Sequence, residues 1–177
     1  MAHRAGNTLR SVLWRSVAFV AVFMLLQATW EAARGSWIDR LWVRELTVRS
    51  ATGLINWLTP DVQAVPEGTR IVAPGGGLNV MFGCEGTDVV FLLTAAFVVF
   101  KPRWRARLAG LAAGLLWVFL LNQWRIVALF YSFRADRELF DLVHTTAAPL
   151  LMIVLTGLFF HLWLHYSAHS APGSDIG

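Results

Sequence analysis

The 177-residue chain contains a single cysteine, Cys84. It stands in Met81-Phe82-Gly83-Cys84-Glu85-Gly86-Thr87-Asp88, between two glycines and just ahead of the apolar run 89–100. A thiolate is a strong nucleophile, but a free thiol titrates near about 8.5, so only a small fraction is ionised at neutral pH. A guanidinium nearby favours the anion and can stabilise the oxyanion of a tetrahedral intermediate. An imidazole can take the thiol proton and return it to a leaving amine. Arg125 and His144 supply these two groups, and the resulting thiol acyl-transfer chemistry needs no cofactor and no metal. Asn122 precedes Arg125 by three residues and shares its helical face. Asp141 precedes His144 by three and is placed to orient the imidazole, while Glu85 and Asp88 sit beside the thiol. Gly83 and Gly86 would let a substrate backbone approach the sulfur closely.

Every one of these residues has an ordinary alternative. Cysteine is among the most buried residue types and packs as a small apolar group. An arginine near the end of a span can snorkel to the interface, and an asparagine can bond across helices. Acids at a helix start are common dipole partners. His161, His165 and His169 recur every four residues, a spacing open to metal ligation, but they fall near the C-terminus, far from the other candidates. What separates chemistry from packing is whether the chain brings the candidates together.

Composition points to the bilayer as solvent. The chain is 56% hydrophobic and 15% charged, against about 25% charged for a soluble domain, and its mean hydropathy is +0.56. Its net charge of +4 is small enough to come from residues that orient helices, so no nucleic-acid partner is implied. A lone cysteine excludes an intramolecular disulfide.

The expected fold is an all-α polytopic membrane protein in one domain, with about four transmembrane helices. The first span is expected at 12–30, after Arg4, Arg10 and Arg15. A cleaved signal peptide is the alternative, though Trp30 and Glu31 suit a small-x-small cleavage site poorly. At 36–58, apolar residues including Trp37, Leu41, Trp42, Ile55 and Leu58 alternate with charges at helical spacing. They predict an amphipathic helix that either lies at the interface or packs beside the spans. Residues 59–83 carry Pro60, Pro66, Pro74 and the triplet Gly75-Gly76-Gly77 and predict an irregular loop or short hairpin. No Lys-Ser/Thr pair follows the triplet, so it is not a phosphate loop. Further spans are expected at 87–100, 108–131 and 145–164, with a polar tail at 166–177. Gly110-x-x-x-Gly114 offers a strip for close helix packing.

Charge orients the spans. The N-terminal segment has three arginines and no acid, and 101–107 has four basic residues and no acid. The segment between the first two spans is balanced, and 132–143 has two bases against three acids. The positive-inside rule then puts both termini in the cytoplasm and 36–83 outside. In that topology Cys84 stands at the outer entrance of the second span and His144 at that of the fourth. Arg125 lies about 25 Å along the third, near the outer edge of a core of roughly 30 Å. Three helices therefore carry three reactive groups to one depth.

Gly83-Cys84-Glu85-Gly86, then Leu121-Asn122-Gln123-Trp124-Arg125-Ile126, then Phe140-Asp141-Leu142-Val143-His144 resemble the exosortase/archaeosortase family over about residues 75–165. The likeness is to a compact exosortase, of the M or H type. It implies a membrane-embedded cysteine protease/transpeptidase of the bacterial inner membrane, with its active site facing outward. Its substrates would be proteins with a C-terminal sorting signal (a short motif, a transmembrane helix and a basic tail), and the acceptor is left unnamed. By matching positions the resemblance makes Cys84 the nucleophile, His144 the acid/base and Arg125 the oxyanion or thiolate stabiliser, with Asn122, Asp141 and Glu85 in support. The rival reading is a non-enzymatic membrane assembly protein that docks partners on the 36–58 helix.

Overall fold

The computed structural model describes residues 2–80, 83–100 and 103–169, with side chains from residue 9 to residue 167 outside those gaps. Residues 170–177 of the expected tail and Lys101-Pro102 of the basic link lie outside the described residues. So does the side chain of His169.

The long apolar runs become long helices. Helix α1 spans Ala2–Ala32, and its segment Leu9–Ala32 is apolar enough to cross a bilayer. Val12, Leu13, Trp14, Val17 and Leu25 point outward along it, as lipid-facing side chains do when the solvent is hydrocarbon. Helix α5, Trp104–Ala135, is a second such helix. The third is the continuous stretch Arg137–Ser167, built from α6 (Arg137–Leu142), a π-helical turn (Val143–Ala147) and α7 (Ala148–His169).

Helix α4, Thr87–Val99, has 13 residues and reaches about 20 Å, short of a hydrocarbon core of roughly 30 Å. Among the described residues three helices are therefore long and apolar enough to cross, and α4 is a shorter apolar rod packed against α1, α5 and α7. Its residues Val89, Leu93 and Phe97 are buried with Val118 of α5 and Met152 of α7. The two glycines of the Gly110-x-x-x-Gly114 strip sit where bulk would collide. A methyl at Gly110 would lie 2.2 Å from the Trp163 indole nitrogen, and one at Gly114 2.5 Å from Leu93. Trp163 Nε1 in turn donates to the Ala106 carbonyl at 3.0 Å, tying α7 to α5.

Residues 37–58 form one continuous helical rod: α2 (Trp37–Asp39), a π-helical stretch (Arg40–Arg49) and α3 (Ser50–Leu58). Val43, Thr47, Val48, Ala51, Thr52 and Ile55 are buried at intervals of three to four residues, the stripe of an amphipathic helix, while Trp37, Leu41, Leu46 and Leu58 are exposed.

The expected hairpin region is a three-stranded antiparallel sheet in the order β1-β2-β3 (Val65–Glu67, Arg70–Val72, Leu78–Asn79). Its turn needs glycine: Gly75 and Gly76 have φ of 82° and 129°, values L side chains avoid. A methyl at Gly77 would meet the Ile71 carbonyl at 2.3 Å. Arg134, near the end of α5, donates to the Pro74 and Gly76 carbonyls at 2.8 and 3.2 Å, so the Gly-rich turn is clamped to the long helix. Ile71, Leu78, Val80, Cys84, Ile126 and Phe130 share one buried cluster with α3. That cluster joins the sheet to the end of α5 that carries Arg125.

Candidate active site

The tetrapeptide around the thiol is bent by two left-handed glycines, Gly83 at φ 84° and Gly86 at φ 76°, and α4 begins at Thr87 immediately afterwards. The bend turns Cys84 inward, leaving it 7% exposed. Gly86 is also where the bend meets α5: a methyl there would lie 2.9 Å from Asn122 Cγ. Asn122 is itself buried, and its Oδ1 has no hydrogen-bond partner among the described residues. One turn further along α5, Arg125 donates from one terminal nitrogen to the Gly83 carbonyl at 3.1 Å. Its other terminal nitrogen lies 3.9 Å from Cys84 Sγ.

His144 arrives from the opposite side, in the π-helical turn Val143–Ala147. Its Nε2 is 3.2 Å from Cys84 Sγ, within hydrogen-bond reach for sulfur. Single π turns inside α-helices recur at functional sites because they re-aim a side chain that regular winding would direct elsewhere. The imidazole is held by Phe140, whose ring stacks on it at 5.3 Å and 6°. Phe140 and His144 are four apart and share a helical face, a spacing that could have flagged the pair. Asp141, expected to orient the imidazole, does not reach it among the described contacts. Its side chain is exposed, and the residue's carbonyl accepts from Thr145 Oγ1. A helical offset of three from the start of a π turn does not bring the carboxylate over the ring.

Glu85 is buried as well, 3% exposed, and faces α1 rather than the thiol. Trp30 Nε1 donates to its carboxylate at 3.2 Å, an Arg34 guanidinium nitrogen lies 3.9 Å away, and Trp42 Nε1 donates to its backbone carbonyl at 3.2 Å. Trp30 was legible only as the end of the first span and Trp42 only as an apolar residue of the amphipathic helix; nothing in their spacing pointed to Glu85. Nearby, Gln27 donates to Asp88 at 2.7 Å, a second tie from α1 to the start of α4. Burial pushes the Glu85 carboxyl up, against the Trp30 hydrogen bond and the Arg34 charge, with Asp39 and Asp88 adding to the rise.

The thiol follows the same logic. Burial raises the Cys84 pKa above its ordinary value, the Arg125 charge pulls it down by less, and Glu85 adds a small rise. The resting group is a thiol hydrogen-bonded to an imidazole, one proton transfer away from a nucleophile with a cation at 3.9 Å. The arrangement lies beside a cavity of about 210 Å³ that both Cys84 and His144 line.

Sequence comparison matches residues 2–161 to the transmembrane exosortase family. The chain belongs to that family. As a member of the transmembrane exosortases it is a membrane protein. No curated protein and no solved structure matched the chain. Among the described residues, no three His, Cys, Asp or Glu side chains are grouped to hold a metal.

Proposed function

We propose that this exosortase is a cysteine protease/transpeptidase. In this reading it acts at the outer face of the inner membrane on proteins that end in a sorting motif, a transmembrane helix and a basic tail. The observation that carries the reading is the 3.2 Å approach of His144 Nε2 to Cys84 Sγ, with Arg125 alongside. The chemistry then runs as follows. His144 takes the thiol proton as Cys84 attacks the scissile carbonyl carbon, forming an S–C bond and an oxyanion beside the Arg125 guanidinium. The oxyanion collapses, the C–N bond breaks, and His144 returns the proton to the departing amine. That leaves a thioester on Cys84. Water would release a free carboxylate from it, whereas an acceptor amine would form a new amide; in each case His144 accepts the nucleophile's proton and the thiol is regenerated.

Asn122 braces the bend at Gly86, Glu85 anchors it to α1, and Phe140 rather than Asp141 holds the imidazole. The topology that supports an outward-facing site has both termini in the cytoplasm, from the arginines in the first half of α1 (Arg4, Arg10 and Arg15) and the basic residues around Arg103. The test is processing in cells. A co-expressed reporter with the three-part C-terminal signal loses that signal when wild-type protein is present and keeps it with Cys84→Ala. Undiminished processing by Cys84→Ala would overturn the reading.

A further inference from the structure

Antiparallel ladders alternate between residue pairs that exchange hydrogen bonds and pairs that do not. The Val80 amide donates to the Thr69 carbonyl at 2.9 Å, so Thr69 and Val80 form a bonded pair. The next pair, Arg70 with Asn79, is then non-bonded, and Ile71 with Leu78 is bonded. Asn79 therefore directs its backbone N–H and C=O away from β2, towards the free edge of β3. The sheet's other edge is closed to pairing: Pro66 occupies the matching non-bonded position opposite Ile71, where it has no N–H to offer. One edge is blocked and, among the described residues, the other carries an open donor and acceptor.

That open edge runs along the cavity of the thiol. Leu78, Asn79 and Val80 line it from the sheet, Ile126 and Phe140 line it from the helices, and Cys84 and His144 complete it. Its volume, about 210 Å³, is below the range of whole-ligand pockets, roughly 300–1,000 Å³, and suits one large side chain. Asn79 itself is exposed while Leu78 and Val80 are buried, so the strand presents backbone to an incoming chain and apolar side chains to the cavity.

We propose that the substrate binds as an extended peptide strand added to the edge of β3. Its backbone pairs with Asn79, and an apolar side chain next to the scissile bond fills the cavity beside Cys84 and His144. The inference rests on the thiol reading above and adds the substrate class: an extended segment with a large aliphatic or aromatic residue at the cleavage point. Apart from the reacting pair Cys84 and His144, no ionisable side chain lines the cavity, so a charged substrate residue would be desolvated there with no partner beyond that pair.

The test uses full-length protein in detergent and peptidyl chloromethyl ketones. One probe has Leu beside the warhead, one has Asp, and two Leu probes carry a single N-methylated backbone amide each. Iodoacetamide, which needs no strand pairing, reports the thiol itself. The Leu probe is expected to modify Cys84 at least about tenfold faster than the Asp probe, because the cavity penalises an unpaired charge. N-methylation of the amide that meets Asn79 is expected to slow modification about tenfold, the scale of one hydrogen bond. In Asn79→Pro, which deletes the outward donor, the ratio of Leu-probe rate to iodoacetamide rate is expected to fall by a similar factor. If iodoacetamide alkylation is His144-dependent, yet Leu and Asp probes react alike and the Asn79→Pro ratio is unchanged, strand pairing is overturned alone. If iodoacetamide alkylation ignores His144, the thiol reading falls and takes this inference with it.

Discussion

The proton shared between Cys84 and His144 sets how the site responds to pH. Burial holds the thiol above its ordinary pKa, Arg125 offsets part of that rise, and Glu85 adds to it. Because the thiolate is the reactive form, a raised pKa lowers reactivity at neutral pH and moves the midpoint of alkylation to higher pH. Removing the Arg125 charge removes the term that favours the anion. Arg125→Gln is therefore expected to slow iodoacetamide alkylation at neutral pH, by about tenfold for a cation at this distance, and to shift the profile upward in pH. Glu85→Gln keeps an oxygen acceptor for Trp30 and loses the negative charge, so its profile is expected to shift downward. Rate-against-pH curves for the two variants check both signs, and shifts in the same direction would contradict the assignment. At this scale the candidates Cys84, Arg125 and His144 were legible in the sequence because helical spacing and charge bias assign them one depth, and Asn122 because it shares the helical face of Arg125 one turn deeper. Phe140 was not singled out, because its spacing of four from His144, which puts the two rings on one helical face, fits ordinary core packing equally well.

Two elements do the positioning: the bend at 83–86 and the π turn at 143–147. Neither is visible in apolar periodicity, because each is a local departure from it. Glycine at 83 and 86 hinted at the bend, but only the contact with Asn122 shows why Gly86 tolerates no side chain. Gly86→Ala must adopt a left-handed φ, at about 1–2 kcal/mol, and push against Asn122 as well. A fall in Tm of about 4 °C or more is expected by intrinsic tryptophan fluorescence. A comparison within the bundle separates strain from a general intolerance of glycine replacement. Gly110→Ala collides with Trp163, whereas Gly157→Ala meets nothing within 4 Å. The first is expected to lower Tm and the second to leave it within about 1 °C; equal losses would contradict the packing described for α5 and α7. The amphipathic stretch 36–58 was legible as a helix, but the face that packs on protein was not, because it is built partly from Thr47 and Thr52, which carry no apolar signal.

For the whole molecule, the membrane character was plain from composition, and the long apolar runs became the long helices. The length of α4 was harder to judge. The run 87–100 reads as a span and its helix, Thr87–Val99, keeps nearly those bounds, but its 13 residues reach only about 20 Å, short of a hydrocarbon core of roughly 30 Å. In the proposed topology the sheet and the 37–58 rod share the outer side with the thiol. In a Cys84→Ser background, Glu67→Cys places a reporter thiol on exposed β1. A membrane-impermeant maleimide is expected to label it in intact cells, and labelling only after permeabilisation would reverse the orientation.

The claim beneath all of this is that Cys84 Sγ becomes covalently bound to the substrate's carbonyl. Intact-protein mass spectrometry of the full-length protein, isolated with its three-part substrate under acid quench, measures that bond directly. The expected result is a hydroxylamine-sensitive adduct on Cys84, equal in mass to the upstream part of the substrate less water and absent from Cys84→Ser and Cys84→Ala. Cleaved substrate accumulating with the thiol always free, and equally in Cys84→Ala, would contradict it.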